Sequence, residues 1–353
     1  MIEIALSSFY FYKYFIFIFI MYKIVKKIGK GSYGNVYIVS KKEKRYAMKK
    51  INIINQDFKE KINLINEIRI LKYSCCPYIL NFLDVKYNGY NVEIITDLIK
   101  YGDLHSIIKK QNGIRFNEEK IWSYFIQTCF GVEYLHNNNI IHRDLKSANI
   151  FLDENDKIVI GDFGISKVLY ENDFTNTNIG TPYYMSPEIF NKKLYSKDVD
   201  IWALGCFLYE LITFEPPFTA KSLYNLIKKI KTMKYGNKIE LLKNVYSKEL
   251  LNLLPLFFCS VSNRITISEI VKHRSITEKL NLIPQINTYS KCISNFREKF
   301  RNNYSQPWNM IIKNLEYNEN IVDISKSSYK LPSLFSRNIE LSSKISNNIK
   351  KKT

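Results

Sequence analysis

The run His142-Arg143-Asp144-Leu145-Lys146-Ser147-Ala148-Asn149 constrains this chain more than any other feature, because Asp162-Phe163-Gly164 follows it with Asp162 thirteen residues beyond Asn149. Together the two segments supply a candidate proton acceptor, a lysine suited to a phosphate, and two oxygen-bearing side chains suited to a hard divalent cation. Transfer of a phosphoryl group from a nucleotide to a hydroxyl needs that set, since its catalysis is mostly positioning and charge neutralisation. Asp-Phe-Gly alone carries little information; the order and spacing of the two segments carry the weight.

Upstream, Gly29-Lys30-Gly31-Ser32-Tyr33-Gly34-Asn35-Val36 fits G-x-G-x-x-G-x-V. Dinucleotide-binding folds use a similar pattern between a strand and a helix. Here Val36 to Val39 reads as a strand, Lys41 to Lys44 as a polar turn and Arg45 to Lys49 as a second strand, so the glycines belong to a β-hairpin. A side chain at those positions would hold the backbone away from a nucleotide. Tyr46-Ala47-Met48-Lys49 ends the second strand. Ile62, Ile65, Ile68 and Leu71 recur at helical spacing and predict a helix carrying Glu67, with Glu60 on an extension of it.

These motifs resemble those of protein kinases over about residues 22–275. The resemblance implies an α+β bilobal fold, with a five-stranded antiparallel sheet plus one helix in the small lobe and a mainly helical large lobe. It implies ATP with Mg²⁺, or Mn²⁺ in its place, enclosed by Ile28, Gly29, Gly31, Gly34, Val36 and Ala47. Lys49 would bridge the α- and β-phosphates with Glu67 as its ion-pair partner. Asp144 would accept the substrate hydroxyl's proton, Lys146 would neutralise the transferring group, and Asn149 and Asp162 would hold the metal. Lysine two residues after the aspartate resembles serine/threonine rather than tyrosine kinases. His142 and Phe163 read as packing residues, and His105, His136 and His273 receive no chemistry.

Within the kinases, Ile150-Phe151-Leu152, Gly161 to Leu169, Ile179 to Tyr184 and Trp202-Ala203-Leu204-Gly205-Cys206 resemble the NIMA-related group. That resemblance puts Phe151 beneath the adenine, Thr96 at the gatekeeper, Asp97 to Ile99 on the adenine edge and Asp103 at the ribose. Gly180-Thr181-Pro182-Tyr183-Tyr184-Met185-Ser186-Pro187-Glu188 looks like the peptide-binding end of an activation segment, with a serine in place of the usual alanine that should be harmless. By the same resemblance Arg264 pairs with Glu188, Asp200 holds the catalytic-loop backbone, Thr181 anchors the segment, and Thr177 carries an activating phosphate that binds Arg143. Ala148 replaces an acidic residue of basophilic kinases, although Glu210 is present, which argues against a strong preference for upstream arginine.

The 353 residues allow one two-lobed domain and a tail. The net charge of +19 invites a nucleic-acid or membrane reading, yet lysine outnumbers arginine 43 to 9 and the bias runs along the whole chain, so a specific nucleic-acid partner is not expected. Six cysteines without a C-x-x-C pair form no disulfide or zinc framework; Cys129 and Cys206 read as core, and a reducing compartment, cytoplasmic or nuclear, is expected. Residues 1–21 form an aromatic and aliphatic leader, shorter in its apolar run than the roughly 20 residues that span a bilayer; a mis-set start and a membrane- or partner-associating strand both remain open. Residues 276–353 read as a basic, Asn/Ser/Lys-rich, largely flexible tail without a heptad repeat. The expected partners are protein substrates and either an upstream activating kinase or a second copy acting in trans. The competing readings are a catalytically silent scaffold with a kinase fold and a Ser/Thr kinase of another group.

Overall fold

Short runs rich in Val, Ile, Tyr and Phe, broken by polar turns, form strands in the first part of the chain. In the computed structural model the described residues are 22–31, 34–163, 183–191, 196–284 and 286–292. Thr177, Thr181, the leader 1–21 and residues 293–353 lie outside them. Strands β1 (Lys23–Gly31), β2 (Gly34–Lys41), β3 (Lys44–Asn52), β4 (Phe82–Tyr87) and β5 (Asn91–Asp97) form one antiparallel sheet in the order β1-β2-β3-β5-β4. Val39, Met48 and Ile95 are buried on one face, where Tyr22, Tyr37 and Tyr46 pack over them. The β2–β3 turn is tighter than the sequence suggests: only Lys42 and Glu43 lie outside the strands, both at positive φ (47° and 65°).

Helix α1 (Phe58–Tyr73) crosses the β3–β4 connection. Its start is fixed by a capping box: Asp57 accepts from the Glu60 N–H at 2.7 Å and Glu60 accepts from the Asp57 N–H at 3.0 Å. Glu60 is thereby committed to the helix end. Glu67, two turns on, falls on the buried face with Leu64, Ile68 and Leu71.

The large lobe is mainly helical, as the sequence predicts. Helices α2 (Leu104–Lys110), α3 (Glu118–Asn137) and α4 (Asp198–Thr213) are joined by the short strands β6 (Ile150–Leu152) and β7 (Ile158–Ile160) and followed by α5 (Leu223–Thr232), α6 (Lys248–Leu251), α7 (Leu254–Phe257), α8 (Ile267–Lys272), α9 (Arg274–Thr277) and α10 (Ile286–Cys292). Helices α3 and α4 are buried nearly all round and form the centre of the lobe. Gly205 permits this, since a Cβ there would sit 2.4 Å from Phe257 Cβ. The lobes meet where Ile160 N donates to Tyr78 O and Leu80 N donates to Ile160 O, both at 2.9 Å.

Folded structure continues past residue 276. Tyr289 on α10 is buried, donates to Glu133 Oε2 at 2.5 Å, and packs its ring 4.7 Å from Phe130 and 5.7 Å from Tyr78. Tyr78 in turn donates to Pro284 O at 2.7 Å. Cys129 and Cys206 are fully buried, and Cys75, Cys76, Cys129, Cys206 and Cys259 are free thiols. Among the described residues no helix is long and apolar enough to cross a membrane.

Candidate active site

The loop His142–Asn149 is shaped by one buried carboxylate. Asp200, in the first turn of α4, accepts from His142 N at 2.8 Å and Arg143 N at 2.9 Å, and its Oδ2 lies 2.8 Å from His136 Nε2. Holding two successive N–H groups bends the chain so that Arg143 takes φ +67°. Burial alone would raise the Asp200 carboxyl, but the His136 hydrogen bond and the two histidines hold it below the usual carboxylate range. His142 is fully buried against Phe163, with ring centroids 5.3 Å apart, in the packing position expected of both.

On that bend stands Asp144. Lys146 Nζ donates to its two carboxylate oxygens at 3.0 and 2.8 Å. Asn149 Nδ2 donates to Asp144 Oδ2 at 3.1 Å and to Asp144 O at 2.7 Å. Asn149 thus spends its amide hydrogens on Asp144, and Oδ1 is the atom left to accept a cation. Asp162, just beyond β7 and at φ +52°, lies 2.8 Å from Lys49 Nζ, which is also 2.7 Å from Glu67 Oε1. Burial opposes the charge on Lys49, yet the Glu67 and Asp162 carboxylates outweigh it and raise its pKa. Burial likewise pushes Asp162 up, and the Lys49 charge more than reverses this, so that it stays ionised. Glu67, rather than Glu60, is therefore the carboxylate that meets Lys49.

The glycine hairpin and the β5 end belong to the same sheet as Lys49. Gly29 pairs with Val36 and Gly31 with Gly34 across β1–β2; Ile28 is 48% exposed. Gly34 has a second reason to be glycine, because a Cβ there would lie 2.1 Å from Lys50 O on β3. Ala47 pairs with buried Thr96 across β3–β5. Asp97 accepts from Asn81 Nδ2 at 3.0 Å, and Ile99 is half-buried beyond it. Tyr101 N to Leu152 O at 3.1 Å and Leu152 N to Gly102 O at 2.9 Å then bring the segment after β5 alongside β6 and Phe151. Asp103 caps α2, accepting from Ser106 N and Ser106 Oγ, both at 2.8 Å. Phe151 lies over Gly161, whose added Cβ would come 3.0 Å from its ring.

Further along, Arg264 donates through both terminal nitrogens to Glu188, at 2.6 and 3.2 Å, and reaches Asp198 O and Cys259 O. The guanidinium sits 5.0 Å from the Trp202 ring centroid. The sequence reading missed three partners here. His136 completes the Asp200 cluster; Tyr184 donates to the buried Glu210 carboxylate; and His105 lies 3.4 Å from that same carboxylate. Each joins residues far apart in sequence, and none belongs to a local motif.

The protein kinase domain family matches residues 22–276. The chain is 35% identical over 278 residues to the serine/threonine-protein kinase Nek1 of Mus musculus, covering 77% of this chain and 23% of that protein. It is 35% identical over 256 residues to the serine/threonine-protein kinase Nek6 of Oryza sativa subsp. japonica (71% and 47%), and 36% identical over 269 residues to the serine/threonine-protein kinase Nek5 of Homo sapiens (75% and 37%). The chain spans between about a quarter and a half of the length of these relatives. The chain belongs to the protein kinase family and, within it, resembles the NIMA-related kinases.

Proposed function

We propose that this chain is a serine/threonine protein kinase of NIMA-related type, transferring the γ-phosphate of ATP to Ser or Thr hydroxyls of proteins. The observation that carries the reading is the convergence of Lys146 and Asn149 on Asp144 beside a Lys49 held between Glu67 and Asp162. Members of the family generally use Mg·ATP, which when bound supplies the phosphoryl group and a cation charge. The donor set fits it, because Asn149 Oδ1 and the ionised Asp162 are hard oxygen ligands. Asp144 orients the incoming hydroxyl and accepts its proton, while Lys146, already at its carboxylate, neutralises charge on the oxygens being transferred. Lys49, held by Glu67, would supply positive charge to the nucleotide's phosphates.

Phosphate on Thr177, added in trans or by an upstream kinase, would pair with Arg143 in the Asp200-held bend. The resemblance to the Nek proteins further suggests a cytoplasmic or nuclear role in the cell cycle, microtubules or cilia. The test is phosphate incorporation into a generic protein by the full chain with Mg·ATP, beside Asp144→Asn. The variant should lose at least about 100-fold in rate, with phosphate mapped to Thr177 only in the active protein. Equal background in both, with ATP still bound, would make the chain a scaffold instead.

A further inference from the structure

Six lysines, at 221, 228, 229, 231, 234 and 238, fall between Glu215 and Glu240 without one acidic residue among them. All six are exposed. Read along the chain this is part of a general lysine bias; on the folded surface it becomes local. Helix α5 buries Leu226 and Ile230, which fixes which of its faces looks outward. That face and the preceding loop line an open cavity of about 670 Å³, with Thr219, Lys221, Asn225, Lys228, Lys229 and Thr232 at its wall. Lys229 is held in place by donating to Thr219 O at 2.7 Å. Lys238 pairs with Glu215 and Lys243 with Glu240 at the two ends of the stretch. Lys221 and Lys228, by contrast, have no carboxylate partner among the described residues.

We infer that this cavity docks an acidic segment of a protein partner. Cationic groups left unpaired around a concavity attract anions, and their complementarity sets partner choice and encounter rate. The lysines alternate with threonine and asparagine hydrogen-bonding groups, and Tyr224 stands 76% exposed on the same helix. Such a mixture suits carboxylate side chains and backbone of a peptide better than the flat, uniformly basic face a lipid surface or duplex takes. The loop that lines the cavity follows directly on a buried aromatic cluster. Phe218, one residue before Thr219, stacks on Trp202 with centroids 5.3 Å apart, and Trp202 also carries the Arg264 guanidinium that grips Glu188. The loop beside α5 is thus joined through Phe218, Trp202 and Arg264 to Glu188 at the end of the candidate peptide-binding segment.

The inference goes beyond the kinase reading, and its test reads binding, so that a failure of turnover would leave it standing. A fluorescent glutamate-rich 12-residue peptide is titrated against the full chain, against Lys221→Glu/Lys228→Glu, and against the charge-matched control Lys109→Glu/Lys110→Glu. Thermal melts check that all three fold. The wild type and the control should bind alike, more weakly as salt rises, and the α5 variant should bind at least about tenfold less tightly. Absent binding, or equal binding by all three proteins, overturns the inference. So does a preference of the same lysines for a DNA duplex or for vesicles containing anionic lipid over the peptide.

Discussion

Ser186 lies fully buried, and its hydroxyl has no hydrogen-bond partner among the described residues. A buried hydroxyl left unsatisfied carries a desolvation penalty of about 1–3 kcal/mol, so Ser186→Ala should stabilise the fold by about 1 kcal/mol. Urea unfolding of the two proteins checks this, and a less stable variant would sink the argument. Asp200 is the opposite case, a buried carboxylate with every oxygen used. Asp200→Asn removes the charge that His136 and two backbone N–H groups are built around, and should destabilise by about 3–5 kcal/mol. Because its folded-state pKa is held below the ordinary value, the stabilisation is fully present above about pH 4 and is lost as pH falls through the lower folded value. Melting temperature against pH should therefore drop less steeply on the acid side in the variant than in the wild type.

Among the elements, the β2–β3 hairpin carries a local conflict. Two-residue turns with both residues at positive φ favour Asn-Gly, whereas this one uses Lys42-Glu43. Lys42→Asn/Glu43→Gly should stabilise by about 0.5–1 kcal/mol, measured by thermal melts with activity unchanged. The turn was hard to place from sequence for the same reason: without Asn or Gly, the polar run from Lys41 to Lys44 gives no sign of which pair turns. Strands β2 and β3 were legible as the runs Val36 to Val39 and Arg45 to Lys49 about a polar turn, the other three strands only through the family resemblance, and α1 from its isoleucine spacing. The choice between Glu60 and Glu67 was also legible in part, because Asp57 three residues before Glu60 is a capping-box signature that assigns Glu60 to the helix end. Lys49, Asp144, Asn149 and Asp162 could be picked out by motif, but their convergence could not, since a 113-residue separation such as Lys49 to Asp162 leaves no local trace. Four-residue helices such as α6, α7 and α9 are too short for any periodicity to reveal.

The whole molecule depends on contacts that close long loops. Arg264 and Glu188, 76 residues apart, form a buried bidentate pair, and Arg264→Ala should cost about 3–5 kcal/mol by leaving Glu188 charged and alone. The segment ending in α10 also closes a long loop, onto Glu133 and Phe130 of α3. Tyr289→Ala should lose about 3 kcal/mol, and Tyr289→Phe about 1 kcal/mol for its bond to Glu133. Calorimetry that found the two substitutions equal would contradict the packing role of the ring. Nothing in the polar composition after Ile276 announces this contact, which is made by the Leu282 and Pro284 carbonyls, buried Ile283 and Tyr289. Tyr78, which receives the segment, is also the residue whose carbonyl accepts from Ile160, two positions before Asp162. A protease that cut once between Thr277 and Pro284 would spare the whole family-matched stretch, yet would strip the support from behind the strand that leads to Asp162, the candidate metal ligand.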